Sequence, residues 1–396
     1  QVEANRYTGI SSAYGTLSAT DCIVESNVRI GIHLSKATAD LESVQVIDTQ
    51  PDADGEWGVG IHIDDQSVVT ATGCLVQGDP NHGEAGINLQ EESTLVATEC
   101  IVRENHEVGL QLHNGIATLQ GVEVLDTQTD ADGEWGRGIH LQDGSTLTAT
   151  DCLVQGNLDV GVFMLDSTAT LDDCIVQDNQ TAGIHLSSST ATLEGVQVLD
   201  TQPDTDGQFG RGITVQQAST LVATSCLVQG NHETGVYVSG ATSTLEGVQV
   251  LGTHRVTEST VAFGLVSQAE AVVDATNLEV GDTDGPALYV AIEALVNCTG
   301  CTLTDNAFAG ALVQAGGALL MDDSLVEGTV SDSNAGAGLG VFVDDRVVTA
   351  FGSSTLTLHD SVLRDNEMGA VYLRGGGTYQ LVGNELSGGA GLAVEP

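Results

Sequence analysis

The stretch Ile116 to Gly144, IATLQGVEVLDTQTDADGEWGRGIHLQDG, recurs almost verbatim elsewhere in the chain. Near-copies occupy Thr190 to Ala218 (TATLEGVQVLDTQPDTDGQFGRGITVQQA) and Thr38 to Gln66 (TADLESVQVIDTQPDADGEWGVGIHIDDQ). Between them lie shorter units without the central loop, such as Ser145 to Ser167, STLTATDCLVQGNLDVGVFMLDS. An internal period of about 22–29 residues is typical of stacked, self-similar coils.

Each repeat unit contains three short apolar runs joined by turn residues, for example LTATD, CLVQ and GVFML in one of the shorter units. Because no helical period separates these runs, they predict a coil of three strands that closes on itself. Each strand then pairs in parallel with its copy in the next coil, and parallel crossovers are right-handed by strong preference. We therefore predict an all-β solenoid of about fifteen coils.

From Thr16 to Val394 the chain resembles the right-handed parallel β-helix, the fold of pectate-lyase-like proteins. We predict one domain over residues 1–396, with regular coils over 16–241 and divergent coils over 242–396. The resemblance implies a fold and leaves the function open, since this fold hosts lyases, hydrolases, isomerases, tailspikes, adhesins and passenger domains.

Composition excludes several classes of partner. The chain of 396 residues has 10 Lys and Arg against 55 Asp and Glu, a formal net charge of −45. Such a surface repels nucleic acid and anionic membranes, and no apolar run is long enough to span a bilayer. The acidity and the repeat type favour an extracellular or cell-surface location.

The strand that contains the recurring glycine presents a row of outward residues. Apolar residues such as Ile139 and Leu141 flank each outward residue and are predicted to point inward, while Gly138 fits a tight bend before the strand. Polar and aromatic side chains at regular spacing can hydrogen-bond to and stack on a sugar chain, and the resemblance implies a sugar along this face. The candidate glycan-binding residues are His33, His62, Asn88, Gln111, His140, His185 and Tyr237.

This outward row has two further features and one alternative explanation. The row continues through Tyr289, Leu312, Phe342 and Tyr372. His33 and His62 are predicted to be stacked neighbours that can share a metal ion. The alternative is a solvated sheet face whose residues only have high strand propensity.

The eight cysteines are predicted to be free, buried thiols rather than disulfide partners. Seven of them share one position in their coils, which Val44 or Val122 fills in other coils, and Cys298 replaces an inward alanine. Cysteines that alternate with valine and alanine act as small hydrophobic residues. Side chains on successive coils run parallel, which places their Cβ atoms farther apart than a disulfide prefers.

Acidic loops predict a calcium site in each long repeat. The motif D-x-D-G begins at Asp52, Asp130 and Asp204, and alternate carboxylates before a glycine turn are typical of calcium loops. The predicted calcium ligands are Asp48, Asp52, Asp54, Asp126, Asp130, Asp132, Asp200, Asp204 and Asp206. Trp57, Trp135 and Phe209 follow these loops and are expected to fold back onto the coil. The alternative is an Asp-Gly turn with solvated charge.

Catalytic signals are weaker than binding signals. Polygalacturonase-like hydrolases of this fold carry D-D, G-H-G and R-x-K elements, of which this chain has only D-D pairs such as Asp64-Asp65. Arg137 and Arg211 lie where the base of a pectate-lyase-like enzyme is conceivable, but Val59 replaces arginine in the first copy. Because the notable features are repeated rather than unique, a structural or binding solenoid is favoured over an enzyme.

The function predicted from the sequence is a structural or adhesive scaffold, calcium-stabilised and with a glycan-binding face. The alternative is a polysaccharide lyase or glycoside hydrolase. Expected partners are a polysaccharide or another cell-surface protein. No capping helix is predicted at Gln1–Gly15, and an open rung can pair with another chain. We therefore expect either that the native chain continues beyond these limits or that chains associate end to end, and the alternative is short irregular caps.

Overall fold

The computed structural model describes residues 1–55, 57–78, 84–130, 133–332, 336–346, 352–389 and 391–395. Within these ranges the regular secondary structure consists of β-strands. The chain divides into two compact units, Gln1–Thr192 and Leu193–Pro396. The single domain predicted for residues 1–396 stays a prediction.

Each coil consists of three strands, and each strand pairs in parallel with its counterparts in the neighbouring coils of its unit. We call them the short strand, the glycine strand and the threonine strand, in their order along the coil. This arrangement confirms the predicted parallel β-helix.

In the first unit the short strands are Val2–Glu3, Ile23–Glu25, Gln45–Ile47, Leu75–Gln77, Ile101–Arg103, Glu123–Leu125, Leu153–Gln155 and Ile175–Gln177. The glycine strands are Thr8–Ala13, Ile30–Ser35, Val59–Asp64, Ala85–Gln90, Val108–His113, Arg137–Gln142, Val162–Leu165 and Ala182–Ser187. The threonine strands are Thr16–Thr20, Thr38–Glu42, Val68–Thr72, Thr94–Thr98, Ile116–Gln120, Thr146–Thr150 and Thr168–Asp172, and Thr190–Glu194 spans the unit boundary.

In the second unit the short strands are Gln197–Leu199, Leu227–Gln229, Gln249–Leu251, Glu279–Gly281, Thr302–Thr304, Leu325–Glu327, Val362–Arg364 and Glu385–Leu386. The glycine strands are Arg211–Gln216, Thr234–Ser239, Phe263–Gln268, Leu288–Val290, Ala309–Gln314, Leu339–Asp344, Gly369–Arg374 and Leu392–Glu395. The threonine strands are Thr220–Thr224, Thr242–Glu246, Val272–Thr276, Leu295–Thr299, Ala318–Asp322, Thr355–His359 and Thr378–Val382.

The core lies inside the coil and is built from the alternating residues of all three strands. Ile139 and Leu141 of a glycine strand are buried, as are Leu147 and Ala149 of the following threonine strand. Strand residues alternate between the two faces of a sheet, so this burial confirms the predicted inward positions. Stacked copies of the same side chains then fill the interior continuously.

The recurring glycine has a packing role, and the bend predicted before the strand is wrong where the glycine lies inside the strand, as it does at Gly109. Gly109 is the second residue of the glycine strand Val108–His113. A Cβ atom added there would lie 2.6 Å from Cγ1 of Val124 and 2.7 Å from the carbonyl oxygen of Gly138. The neighbouring strands approach this position so closely that only glycine fits.

Buried asparagine side chains line the turn between the short strand and the glycine strand. Asn157 is buried, and its amide Nδ2 donates to Oδ1 of Asn179 at 2.8 Å. The Asn157 side-chain oxygen accepts the backbone N–H of Thr127 at 3.0 Å. This ladder satisfies backbone groups that would otherwise be buried without a partner, and the sequence analysis did not identify it.

The prediction of eight free thiols is wrong for one pair. Cys298 and Cys301 form a disulfide with Cα atoms 5.7 Å apart. Both side chains point inward within one coil, on either side of the turn at Gly300, and this Cα distance is within the usual disulfide range. The sequence argument considered bridges between coils, and it is confirmed for those: Cys22, Cys74, Cys100, Cys152, Cys174 and Cys226 are free, and all but Cys22 are buried.

Candidate functional site

The strand register confirms the predicted row on the outer face of the glycine strands. In the first unit, His33 pairs with His62, and His140 pairs with Phe163. In the second unit, Phe342 pairs with Tyr372. The row also includes Val266, which the sequence analysis missed because the coil around it has an irregular loop.

Outward orientation does not make these residues accessible. His62, Asn88 and His140 are only 6%, 7% and 2% exposed, although they point away from the core. These three candidate residues are therefore buried, whereas the remaining candidates, His33, Gln111, His185 and Tyr237, are partly exposed.

An aromatic residue after each acidic loop provides part of this cover. The Trp57 ring meets the His62 ring edge-on at a centroid distance of 5.9 Å, and Trp135 lies 5.6 Å from His140. These contacts confirm that the tryptophans fold back onto the coil. Both adopt a positive φ, 69° for Trp57 and 65° for Trp135, so the turn itself directs each ring over the strand.

Arg137 is the centre of the covered region in the first unit. Its guanidinium lies 4.5 Å from the centroid of Trp135 and 3.8 Å from that of Phe163, and its Nε is 3.3 Å from Oδ2 of Asp159. Burial lowers the pKa of Arg137, and the carboxylate of Asp159 opposes that shift. Burial, Arg137 and His113 lower the pKa of His140 to about 3, so this imidazole is neutral at pH 7.

The second unit repeats this arrangement around Arg211. Nε and Nη2 of Arg211 donate to the two carboxylate oxygens of Glu233 at 2.8 and 2.9 Å. The guanidinium lies 4.2 Å from the Tyr237 ring and 5.2 Å from Phe209. An arginine held by a carboxylate and aromatic rings is part of the local structure rather than a free base.

His33, His62 and Asp64 form a cluster that joins two coils. Oδ2 of Asp64 lies 3.0 Å from Nε2 of His33 and 3.2 Å from Nε2 of His62. The two imidazole rings are 5.4 Å apart. Burial lowers the pKa of His62, an effect that Asp64 opposes and His33 reinforces. The sequence marks Asp64 as an outward residue of a D-D pair but does not place it against the two histidines.

The acidic loops form turns whose first aspartate is bound by its own loop. Oδ1 of Asp52 accepts the backbone N–H of Asp54 at 3.0 Å, and Oδ1 of Asp130 accepts that of Glu134 at 2.7 Å. Asp52 also faces Arg29, with 3.6 Å between Oδ2 and Nε. Such contacts are typical of an aspartate-initiated turn.

Among the described residues, three potential metal-ligand atoms come within 4.8 Å of one another only in the cluster of His33, His62 and Asp64. Asp132 lies outside the described residues. Calcium binding by Asp48, Asp52, Asp54, Asp126, Asp130, Asp132, Asp200, Asp204 and Asp206 therefore stays a prediction.

Glu107 is a titratable residue that the sequence analysis missed. Burial, followed by the charges of Glu84 and Asp130, raises the pKa of its carboxyl to about 7. Its backbone carbonyl accepts the N–H of Gly136, just as that of Arg29 accepts the N–H of Gly58 in the preceding long loop. Glutamate recurs in the sequence as Glu233, in an Asn-His-Glu motif that matches residues 105–107, but Arg29 occupies the equivalent position beside the first long loop.

An open aromatic groove lies on the glycine-strand face of the second unit. The rings of Phe308, Phe342 and Tyr372 follow one another at centroid distances of 6.0 and 5.4 Å. They line a groove of about 530 Å³, together with Met368 and Arg374. Met368 is 56% exposed, so this surface is open to solvent.

Polar groups surround the ring of Tyr372 at this groove. The Tyr372 hydroxyl donates to Oε2 of Glu395 at 2.6 Å, an interaction that raises the pKa of the phenol. Nη1 of Arg374 lies 3.4 Å from Oδ2 of Asp344. The groove thus combines a row of aromatic rings, tilted by 53° and 51° to one another, with hydrogen-bonding groups, a composition typical of ligand sites.

The chain belongs to the right-handed β-helix family, because the family model described as "Right handed beta helix region" matches residues 8–171 and 161–252. No curated protein matches it by sequence. Among solved structures it is similar to the periplasmic alginate epimerase AlgG (TM-score 0.50, 8% identity, covering 85% of this chain and 78% of that chain).

The chain is also similar to two further solved structures. A double mutant of AlgG has a TM-score of 0.52 and 10% identity, covering 85% of this chain and 78% of that chain. The A-module of the mannuronan C-5 epimerase AlgE4 from Azotobacter vinelandii has a TM-score of 0.43 and 13% identity, covering 87% of this chain and 92% of that chain. At identities this low, the two AlgG structures show a shared fold and do not transfer an activity. Within the described residues, no helix is long and apolar enough to cross a membrane.

Proposed function

We propose that this β-helix is an extracellular or cell-surface scaffold that binds a neutral polysaccharide through the aromatic groove of its second unit. The observation that carries this proposal is the succession of Phe308, Phe342 and Tyr372 along one open groove. Aromatic faces stack on the apolar faces of sugar rings, and the surrounding polar groups can bind hydroxyls.

The charge of the chain favours a neutral glycan over a polyuronate. With a net charge of −45, the protein repels an anionic polymer at long range. The arginine nearest the groove, Arg374, already pairs with Asp344 and with Glu395. An acidic sugar would have to compete with both carboxylates for this guanidinium.

The alternative, a polysaccharide lyase or glycoside hydrolase, has less support. Arg137 and Arg211 are the residues that a lyase reaction would use as a base, and each is bound by a carboxylate. A scaffold also fits the predicted partners, a polysaccharide or another cell-surface protein, and the expected end-to-end association.

A glycan array of neutral and uronate oligosaccharides, followed by calorimetric titration of the strongest ligand, tests the proposal. We expect Phe342→Ala and Tyr372→Ala each to weaken binding about tenfold, because one stacked ring contributes about 1.5 kcal/mol. Tyr372→Phe should retain most of the affinity, because the stacking ring remains.

The control variant is Leu320→Ala, which removes a 37% exposed side chain from a threonine strand of the same unit and should bind normally. Equal glycan affinity of Phe342→Ala and the parent protein would refute glycan binding in this groove. Release of an unsaturated sugar, measured by its new absorbance, would support the lyase instead.

A further inference from the structure

We propose that His33, His62 and Asp64 bind a zinc-like divalent transition-metal ion, at a site separate from the glycan groove. His33 comes from the glycine strand Ile30–Ser35, while His62 and Asp64 come from the next one, Val59–Asp64. Their potential ligand atoms all lie within 4.8 Å of one another. The cluster therefore unites two imidazoles and one carboxylate at one point between adjacent coils.

The distances already match those between ligands of one ion. Nε2 of His33 and Nε2 of His62 lie 3.0 and 3.2 Å from the same oxygen, Oδ2 of Asp64. Ligand atoms bound at about 2.0–2.2 Å from zinc are roughly 3–3.5 Å from each other. Small rotations of the rings would therefore admit an ion without a change in the backbone.

Atoms without partners provide a second, independent observation. The His62 side chain is 7% exposed, and its Nδ1 is buried with no hydrogen-bond partner in the part of the chain that the structure describes. Oδ1 of Asp64 is likewise buried and unpartnered among those residues. Buried polar atoms without a partner are costly, and a cation at the carboxylate would compensate Oδ1 of Asp64.

The ligand set selects the class of metal. Two imidazole nitrogens and one carboxylate oxygen suit zinc and neighbouring transition metals, whereas calcium and magnesium prefer a full set of oxygen ligands. Three protein ligands leave at least one coordination position for water. His33 is 29% exposed, so an ion can enter from that side.

Surrounding residues hold the cluster in place. The edge-on ring of Trp57 restrains His62. The neighbouring aspartate, Asp65, accepts a hydrogen bond from Ser35 at 2.8 Å, which ties the ends of the same two strands together. A bound ion would add a cross-link between these coils and stabilise the folded state by mass action.

The same face contains a matched pair that lacks the third ligand. Nε2 of His113 lies 3.2 Å from Oδ2 of Asp143, and both side chains are about half exposed, at 49% and 57%. Among the described residues, no third potential ligand atom lies within 4.8 Å of both. His113→Ala is therefore a control that removes one histidine from a histidine–aspartate pair without affecting the proposed site.

Titration of chelator-treated full-length protein with Zn²⁺, followed by calorimetry and melting temperature, tests the site. We expect one ion per chain and a rise in melting temperature. Loss of a residue that only orients a metal ligand weakens metal binding by roughly 10–100-fold. His33→Ala and Asp64→Asn should weaken Zn²⁺ binding by more than that, because each removes a ligand. His113→Ala should bind like the parent protein.

Co²⁺ gives a readout that does not depend on stability. The parent protein and His113→Ala should develop a visible absorption band with Co²⁺. His33→Ala and Asp64→Asn should not develop this band, and circular dichroism should show that both variants keep a native β spectrum. Absence of Zn²⁺ binding in the parent protein would overturn the proposal. Equal binding by folded Asp64→Asn or His33→Ala would overturn it as well.

Discussion

The outer face of the glycine strands is closed around His140 and open around Phe342, although the two residues occupy the same position in the repeat. The N–H of Gly136 donates to the carbonyl of Glu107, and the N–H of Gly338 donates in the same way to the carbonyl of Phe308. The residues before these glycines, Trp135 and Ala337, are therefore equivalent, and both have a positive φ.

The difference between these regions lies in two side chains, at this position and two residues later. Trp135 and Arg137 both contact His140, which is 2% exposed. Their counterparts Ala337 and Leu339 line the open groove instead. One backbone turn thus carries a cover where an indole precedes an arginine, and forms the edge of an open groove where a methyl group precedes a leucine.

The largest effect on stability is expected from removing the ion pair between Arg137 and Asp159 in the closed region. Arg137→Ala should reduce the free energy of unfolding by about 3 kcal/mol, because it leaves the carboxylate of Asp159 largely buried and unpaired. Arg364→Ala is the control, since this arginine is half exposed beside Glu327 and its loss should cost clearly less than the loss of Arg137. Urea denaturation measures both, and equal costs would contradict a closed, structural role for Arg137.

Acid should weaken the closed region through His140. Its folded-state pKa of about 3 lies below the unfolded value of about 6.5, so the stabilising contribution is present above pH 6.5 and is lost as the pH falls toward 3. His140→Gln should remove about 3 kcal/mol of the stability loss between pH 7 and pH 4. His185→Gln, a partly exposed member of the same row, is the control. Parallel pH profiles for His140→Gln and the parent protein would mean that solvent reaches His140.

Exchange of the cover residue tests the comparison directly. Trp135→Ala should cost about 1–2 kcal/mol, because the ring is 38% exposed and its buried part covers His140 and Arg137. Ala337→Trp should change stability by less than about 1 kcal/mol and weaken glycan binding about tenfold, because the indole would occupy the groove. Ala337→Ser, which keeps the groove open, should bind like the parent protein. Undiminished binding by Ala337→Trp would place the glycan elsewhere.

The smallest effect is expected from calcium at the acidic loops. Calcium near a millimolar dissociation constant should stabilise the protein by about 0.5 kcal/mol and raise the melting temperature slightly. The double variant Asp130→Asn, Asp132→Asn should blunt this rise, whereas Asp40→Asn, an exposed carboxylate on a threonine strand, should not. A melting temperature unaffected by calcium and by chelator would leave the loops as aspartate-initiated turns.

The repeat determined most of the fold. Alternation within each run identified inward residues such as Ile139 and Leu141, and copies of a run had to pair in parallel because they recur at a fixed spacing. The same alignment predicted the pairing of His33 with His62 and of Phe342 with Tyr372. The inward positions depend on alternation within one copy, whereas the pairings depend on the spacing between copies.

Only the tertiary structure decided which outward residues are accessible and which meet. The burial of His62 and His140 depends on where the loops fold. The position of Asp64 against two histidines depends on contacts between coils. The Cys298–Cys301 disulfide depends on the geometry of one turn. The physical reason is that alternation specifies only which face of a strand a side chain leaves from. What covers or contacts that side chain depends on the path of irregular loops, for which the sequence has no period.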